Sequence, residues 1–200
     1  YCEKTGLDPD YVRILRSYRK TIPIKDIIFD YVQFKTPQLQ KLLSVIKGQV
    51  IENTKGGFKH VFEYGGIETH LAQGGIHASK KGIFKNTDTH KIIDIDISGM
   101  YPNIIIKNKL YPEHLGPKFY EVLEKEIVEP RMLIHKPGAK NEKLHYKQRK
   151  LHAAFSDGLK LAGNSIYGKS NDVYSFLYDP KMTMAVTING QLSLLMLIED

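Results

Sequence analysis

The chain has 200 residues, of which 42% are hydrophobic, and this length and composition allow one or two compact domains with a core. Its formal net charge of +7 favours a polyanionic partner without requiring one. The single cysteine, Cys2, excludes an internal disulfide and fits a reducing compartment, and no stretch has the pattern of a membrane span or a secretory signal.

The first part of the chain predicts helices followed by short strands. Residues 1–50 carry helical periodicity. The clearest run ends at Gly48 and consists of Leu39, Leu42, Leu43 and Ile46. Alternation over residues 58–64 predicts a strand that a glycine pair closes, and residues 76–78 predict a short extended segment.

The strongest strand pattern covers residues 91–97, where apolar residues alternate with aspartates. Asp94 and Asp96 are two residues apart and would therefore share one face of this strand. Two such carboxylates repel each other unless a cation neutralises them, and Mg²⁺ prefers carboxylate and phosphate oxygens. The alternative is that both aspartates face solvent or pair with lysines. Pro102 then lies where a helix is predicted to begin.

A long helix is predicted over residues 143–167, with a polar face that could bind a nucleotide. Lys160, Asn164 and Tyr167 are spaced i, i+4, i+7 on one side of it. Together they offer a cation, an amide and a stacking ring to a triphosphate and a base. Arg149 precedes Lys160 by about three turns and is predicted to project in nearly the same direction. The alternative is a solvated polar face with one tyrosine at its edge.

Two stretches taken together resemble a known family. Asp96 followed by Tyr101-Pro102, after an apolar strand, resembles motif A of the family B DNA polymerases. The run from Lys160 to Gly168, Lys-x-x-x-Asn-Ser-x-Tyr-Gly on a helix, resembles their motif B. A second apolar helix is predicted over residues 182–198, interrupted at Asn189-Gly190, and is similar to the helix that follows motif B.

A glycine pair upstream adds to the resemblance. Gly74-Gly75 is similar to the motif that links the exonuclease and polymerase halves of this family, although Ala72 stands where a tyrosine often precedes the pair. The resemblance covers roughly residues 70–200. The short spacing between Arg149 and Lys160 is most similar to phage-type polymerases with small fingers.

The resemblance implies an α+β fold, with an antiparallel palm sheet backed by helices and a helical fingers element. Four parts are implied: a connector after a missing exonuclease domain, a palm part with motif A, fingers with motif B, and a truncated palm helix. They would occupy residues 1–70, 71–128, 129–170 and 171–200.

The implied activity is template-directed transfer of dNMP from a dNTP to a primer 3′-hydroxyl. The resemblance implies two Mg²⁺ ions, with Mn²⁺ as the alternative, that activate the nucleophile and stabilise the leaving pyrophosphate. Asp96 would be the catalytic residue and would bind both ions, and the carbonyl oxygen of Ile97 would bind one of them. Asp94 would only flank this site.

The resemblance also implies contacts with the nucleotide and the DNA. Tyr101 would lie beneath the incoming sugar and exclude a ribose 2′-hydroxyl by a steric clash. The main chain would offer N–H groups to the triphosphate, two cations would contact it, and an amide and a ring would enclose the nascent pair. The implied nucleotide-binding residues are Gly99, Met100, Tyr101, Arg149, Lys160, Asn164 and Tyr167. The implied DNA-binding residues are Gly74, Gly75 and Gly168.

One required element is not found in the sequence. The family carries a second carboxylate pair downstream of motif B, and no such pattern occurs between Gly168 and Asp200. Because the chain also starts at Tyr1 rather than Met, we expect a piece of a longer enzyme with little polymerase activity of its own. Its implied partners are primer–template DNA, a dNTP, and the exonuclease domain, palm motif C and thumb of the parent protein, with no membrane. The implied compartment is the cytoplasm, that of a bacterial host if the protein is phage-encoded.

Two other functions compete with this prediction. A nucleic-acid or nucleotide-binding module without catalysis would keep the basic helix and need no metal. A purely structural α+β domain would not bind DNA even at low salt.

Overall fold

The computed structural model describes residues 1–52, 54 and 56–200. The described residues form helices and two small sheets, both antiparallel, which fits the predicted α+β class. The first elements, α1, α2, β1, α3 and β2, span Cys2–Thr5, Pro9–Ile14, Ile22–Pro23, Pro37–Lys47 and Val50–Ile51. Helix α3 confirms the predicted periodic run, since three of the four apolar residues of that run are buried in it.

A three-stranded antiparallel sheet forms where the sequence predicts extended segments. Its strands β3, β4 and β5 span Lys59–Tyr64, Ile67–Ala72 and Gly75–Ala78 and lie side by side in that order. The β3–β4 hairpin closes at Gly65-Gly66, where both residues have positive φ angles, as a tight two-residue turn requires. The second sheet has two strands, with β1 antiparallel to β2.

The second half of the chain is helical. Helices α4, α5, α6, α7 and α8 span Met100–Lys107, Lys118–Leu123, Lys136–Lys140, Tyr146–Ser170 and Pro180–Glu199. Between α5 and α6 the chain stays helical through two π-type segments, Glu124–Val128 and Pro130–His135. The two long helices predicted from the sequence are confirmed as α7 and α8, but Asn189-Gly190 does not interrupt α8, because the side chain of Asn189 is held inside the core.

Helix α8 joins two hydrophobic clusters. Met184, Ile188 and Leu192 belong to the cluster that α3 and the sheets line, and Met182 and Val186 belong to the cluster beneath α4 and α5. This helix is long and apolar enough to span a membrane, contrary to the prediction that no segment is. Two thirds of its most apolar window is buried inside the protein, as in the core helix of a soluble protein.

Helix α8 begins at a buried carboxylate. Asp179 Oδ1 accepts hydrogen bonds from the backbone N–H groups of Lys181 (2.9 Å) and Met182 (3.0 Å), and Oδ2 accepts one from Glu113 (2.8 Å). Burial raises the pKa of the Asp179 carboxyl and outweighs the hydrogen bonds, which act in the opposite direction. The carboxylate thereby satisfies N–H groups that the first turn of a helix leaves unpaired.

The strand predicted over residues 91–97 is wrong for this structure. The segment has no regular secondary structure, and its isoleucines are exposed, with Ile93 at 77% and Ile95 at 73%. Alternating polarity forms a strand only where a neighbouring strand completes its backbone hydrogen bonds. Among the described residues no strand lies beside this segment. The strand that was expected to end at Asp96 and to form part of the palm sheet is therefore not formed.

Candidate functional site

A cleft lies between α4, α7 and the π-type segments. Its volume is about 910 Å³. The loop before α4 and the first turn of α4 form one wall, α7 forms the opposite wall, and the π-type segments with Lys136 close a third side. Eight residues predicted from the sequence line it: Asp96, Ile97, Gly99, Met100, Tyr101, Lys160, Asn164 and Tyr167.

The wall at α4 presents backbone N–H groups to the cleft. Gly99 is the N-cap of α4 and has a left-handed backbone, with φ 65° and ψ 38°, which favours glycine. Because Pro102 has no N–H group, the free donors of the first turn come from the residues before it, including Met100. Such a helix start attracts an anion.

The wall at α7 carries the predicted polar face. Lys160, Asn164 and Tyr167 all line the cleft, so the spacing i, i+4, i+7 correctly placed them together. Gly163 lies on the same helix and is buried. A β-carbon there would meet Pro102 Cγ at 3.5 Å and Ile127 Cγ2 at 3.6 Å, which are ordinary packing distances. The two patterns that resemble motifs A and B are therefore brought into contact by direct helix packing.

Two neighbouring tyrosine rings line the cleft. Tyr101 and Tyr167 have ring centroids 4.3 Å apart and planes inclined at 46°. The hydroxyl of Tyr167 lies 2.7 Å from Thr187 Oγ1 on α8. Burial raises the pKa of the Tyr101 phenol, and the neighbouring phenol of Tyr167 raises it further. Tyr101 is therefore a neutral hydroxyl at physiological pH.

Two further cationic side chains, which the sequence did not identify, line the cleft. Arg131 donates from Nε to the carbonyl oxygen of Ser156 at 3.2 Å, and Lys136 Nζ lies 3.4 Å from Ser98 Oγ. On an α-helix, residues five apart point about 140° away from each other, so their spacing gives no signal. The π-type turns between them widen the helix and allow both to face the cleft.

Four predicted residues lie outside the cleft. Arg149 shares the face of Lys160, but eleven residues of helix separate them by about 16 Å along the axis, too far for one triphosphate. Gly168 lies on the exposed side of α7, one residue after Tyr167. Gly74 lies in the β4–β5 turn and Gly75 is the first residue of β5, and neither lines the cleft.

The charge of the cleft is mostly positive. Arg131, Lys136 and Lys160 line it, and Asp96 is the one carboxylate among the described residues that do. Its side chain is exposed, and Asp94 does not line the cleft. No group of three His, Cys, Asp or Glu side chains in the described part of the chain could hold a metal ion. Asp96 and the Ile97 carbonyl are oxygen donors that suit Mg²⁺, yet they supply only part of a coordination shell.

The arrangement can bind an organic polyphosphate. Three cations and the start of α4 offer charge and N–H donors, and two tyrosine rings offer a stacking surface. Comparison with protein-family models, with curated proteins and with solved structures finds no match to this chain.

Proposed function

We propose that this chain is part of a DNA-directed DNA polymerase of family B and that its cleft binds the incoming dNTP. One observation carries the proposal above the others. The cleft brings Asp96 and Tyr101 together with Lys160, Asn164 and Tyr167, although these residues come from two patterns far apart in the sequence. Neither pattern alone requires such a contact, and the polymerase prediction requires both on one site.

The triphosphate is assigned to the basic side of the cleft. Lys160 is the cation predicted from the sequence, and Arg131 and Lys136 take the part first assigned to Arg149, which lies too far away. The N–H groups at the start of α4 approach the same space from the opposite wall. Hydrogen bonds between ionised partners are about twice as strong as neutral ones, so these cations dominate the affinity.

The sugar and the base are assigned to the tyrosine pair. Tyr101 lies on the α4 wall and would contact the sugar, where it rejects a ribose 2′-hydroxyl by steric clash. Tyr167 stands beside it, and Asn164 lies one turn earlier on α7 to contact the nascent base pair. Gly168, which follows Tyr167, and the Gly74-Gly75 turn are assigned to the DNA.

In the proposed reaction, the primer 3′-hydroxyl loses its proton to solvent and its oxygen forms a bond to the α-phosphorus of the dNTP. The bond between this phosphorus and the oxygen that bridges it to the β-phosphate breaks, and pyrophosphate leaves. Two Mg²⁺ ions, or Mn²⁺, would lower the cost of deprotonating the 3′-hydroxyl and stabilise the charge on the pyrophosphate. Asp96 and the Ile97 carbonyl would hold them together with substrate phosphates and a carboxylate pair of palm motif C. We place that motif, with the exonuclease domain and thumb, elsewhere in the parent protein. The proposed compartment is the cytoplasm, that of a bacterial host if the protein is phage-encoded.

A second candidate is a nucleotide-binding or nucleic-acid-binding module without catalysis. The observation that favours it is the single carboxylate in a cleft with three cations. Such a site binds a polyphosphate but does not assemble two metal ions. Both candidates bind a nucleotide, but only the polymerase transfers a nucleotide to a primer. An experiment must therefore measure nucleotide binding and nucleotide transfer.

The test combines dNTP binding with primer extension. Calorimetry on the 200-residue chain should show dNTP binding that Lys160→Ala weakens about 10- to 150-fold, the equivalent of one hydrogen bond to a charged group. Lys47→Ala at the exposed end of α3 should change nothing. Primer extension then compares this chain with a longer version that carries the residues after Asp200, each with and without Asp96→Asn. Extension by the longer protein alone, abolished by Asp96→Asn, supports the polymerase. Binding without extension in either protein supports the module. Absence of dNTP binding refutes the polymerase and the nucleotide-binding form of the module.

A further inference from the structure

Helix α8 contacts both tyrosines of the cleft from behind. Thr187 Oγ1 lies 2.7 Å from the hydroxyl of Tyr167 and 3.0 Å from the carbonyl oxygen of Thr183, to which it donates. A hydroxyl has one proton, so Thr187 must accept the hydrogen bond from Tyr167. The ring of Tyr167 is therefore fixed by a buried partner on another helix.

Gly190 lies one turn further along α8, behind the other tyrosine. A β-carbon at Gly190 would lie 3.2 Å from Met100 Cε, 3.3 Å from Ile104 Cδ1 and 3.6 Å from Tyr101 Cε1. The first two distances are shorter than ordinary packing distances, so α4 approaches α8 this closely because residue 190 has no side chain. Glycine inside a helix costs about 0.5–1 kcal/mol relative to alanine, a cost that a close approach justifies.

We propose that Thr187 and Gly190 are positioning residues that set the spacing of the Tyr101–Tyr167 pair and thereby the selection of deoxyribose over ribose. The inference rests on the proposed function, because it assigns the sugar to Tyr101. Thr187 and Gly190 do not line the cleft and act only through the rings in front of them.

The two residues act in opposite directions. Without the Thr187 hydroxyl, the Tyr167 ring is free to turn, and Tyr101 loses the support of a ring 4.3 Å away. The sugar site then widens and ribose is better tolerated. A methyl group at Gly190 pushes the side chains of Met100 and Ile104 away from α8 by a few tenths of an ångström. Tyr101, which lies between them on α4 and would be in ordinary contact with the methyl group, moves with them toward the cleft. The sugar site then narrows, and binding of both nucleotides weakens, with GTP weakened more than dGTP.

The first measurement is independent of any nucleotide. The chain is labelled with 3-fluorotyrosine, and the ¹⁹F resonances of the pair are assigned with Tyr101→Phe and Tyr167→Phe. We expect Thr187→Val to shift and broaden both resonances and Thr187→Ser, which keeps the hydroxyl, to leave them in place. Gly190→Ala should shift the Tyr101 resonance, and Gly158→Ala on the exposed side of α7, where an added β-carbon meets nothing within 4 Å, should not. Unmoved resonances in both Thr187→Val and Gly190→Ala overturn the positioning role.

The second measurement is the ratio of dGTP to GTP affinity, taken by calorimetry on the same proteins in Mg²⁺. Thr187→Val should lower this ratio by about 3- to 10-fold, the equivalent of one hydrogen bond, and Thr187→Ser should restore it. Gly190→Ala should raise the ratio and Gly158→Ala should leave it unchanged. If the unaltered chain prefers dGTP and neither Thr187→Val nor Gly190→Ala changes the ratio, the inference is overturned while the proposed function stands. If the unaltered chain binds neither nucleotide, the proposed function fails and the inference falls with it. Should Thr187→Val not fold, Gly190→Ala decides alone.

Discussion

Replacing Asn189 with alanine should destabilise the whole molecule. Asn189 is fully buried on α8, and its amide connects this helix to the loop after β1. Nδ2 donates to the carbonyl oxygen of Ile27 at 2.7 Å, and Oδ1 accepts from the N–H group of Phe29 at 3.0 Å. A third bond, from Nδ2 to the carbonyl oxygen of Ala185, lies within the helix.

The magnitude follows from the groups left without partners. Alanine removes both bonds to the loop and leaves the Ile27 carbonyl and the Phe29 N–H unpaired in the interior. Each buried polar group left unsatisfied costs about 1–3 kcal/mol, so the free energy of unfolding should fall by about 2–6 kcal/mol. The carbonyl oxygen of Ala185 keeps its backbone bond within the helix and adds little. For a domain stable by about 5–15 kcal/mol, this is a large fraction of the total.

The assay is urea unfolding followed by circular dichroism. The matched control is Asn108→Ala, which removes an amide with a single bond, 2.9 Å long, to the Ile104 carbonyl at the partly exposed end of α4. The control should cost no more than about 1 kcal/mol. If Asn189→Ala shifts the unfolding free energy by less than about 1 kcal/mol at an unchanged slope, the buried amide does not hold the loop to α8, and the argument from unpaired groups is refuted.

Three further predictions concern other parts of the molecule. Burial raises the pKa of the Asp179 carboxyl group in the folded state. Between the usual pKa and the raised pKa, the folded state therefore binds more protons than the unfolded state. The contribution of this group to the free energy of unfolding falls as the pH rises through that range. The difference in unfolding free energy between the natural chain and Asp179→Asn should accordingly decrease as pH rises above 3.8, and a difference independent of pH would contradict this. Gly138→Ala should lower the melting temperature, since its β-carbon would lie 2.7–2.8 Å from the ring of His152 on α7; overpacking of this kind costs about 1–3 kcal/mol, and an unchanged melting temperature would show that the ring moves away freely. The amides of residues 93–97 should exchange hydrogen at nearly the unprotected rate in this chain, because these residues are exposed and have no regular structure, and strong protection would instead mean that they are paired. The Ile92 amide is left out because it donates to Asn86 Oδ1 at 2.6 Å.

The helices of the candidate site could be predicted from the sequence because their pattern is local. Lys160, Asn164 and Tyr167 needed only the period of an α-helix to be placed on one face, and they do line one cleft. Arg131 and Lys136 were not predicted because their position in the cleft depends on π-type turns, and no simple sequence pattern predicts a π-type turn. Arg149 shows a different limit of the helical pattern. The pattern correctly predicts that Arg149 and Lys160 share one face of the helix, but sharing a face does not place two residues close together along the helix axis.

The prediction of a strand over residues 91–97 was wrong because a strand is not a local structure. Its alternation of isoleucine and aspartate is as regular as that of β3, which does form a strand. The difference is that β3 has β4 beside it, in a register that a tight glycine turn sets. Pairing depends on another part of a chain, and the pattern of one segment cannot supply it.

The two halves of the proposed site therefore depend on different forces. The nucleotide-binding half is built from helices, and α8 fixes it from within the core through Thr187 and Gly190. The metal-binding half depends on Asp96, which follows an exposed segment that no strand supports among the described residues. Packing of α4 on α7 and α8 orders the first half without the second. We therefore expect this chain to bind a nucleotide with its tyrosine pair already in place and to transfer none. Among the described residues, Asp96, the proposed catalytic carboxylate, has no second carboxylate beside it in the cleft and no strand next to it.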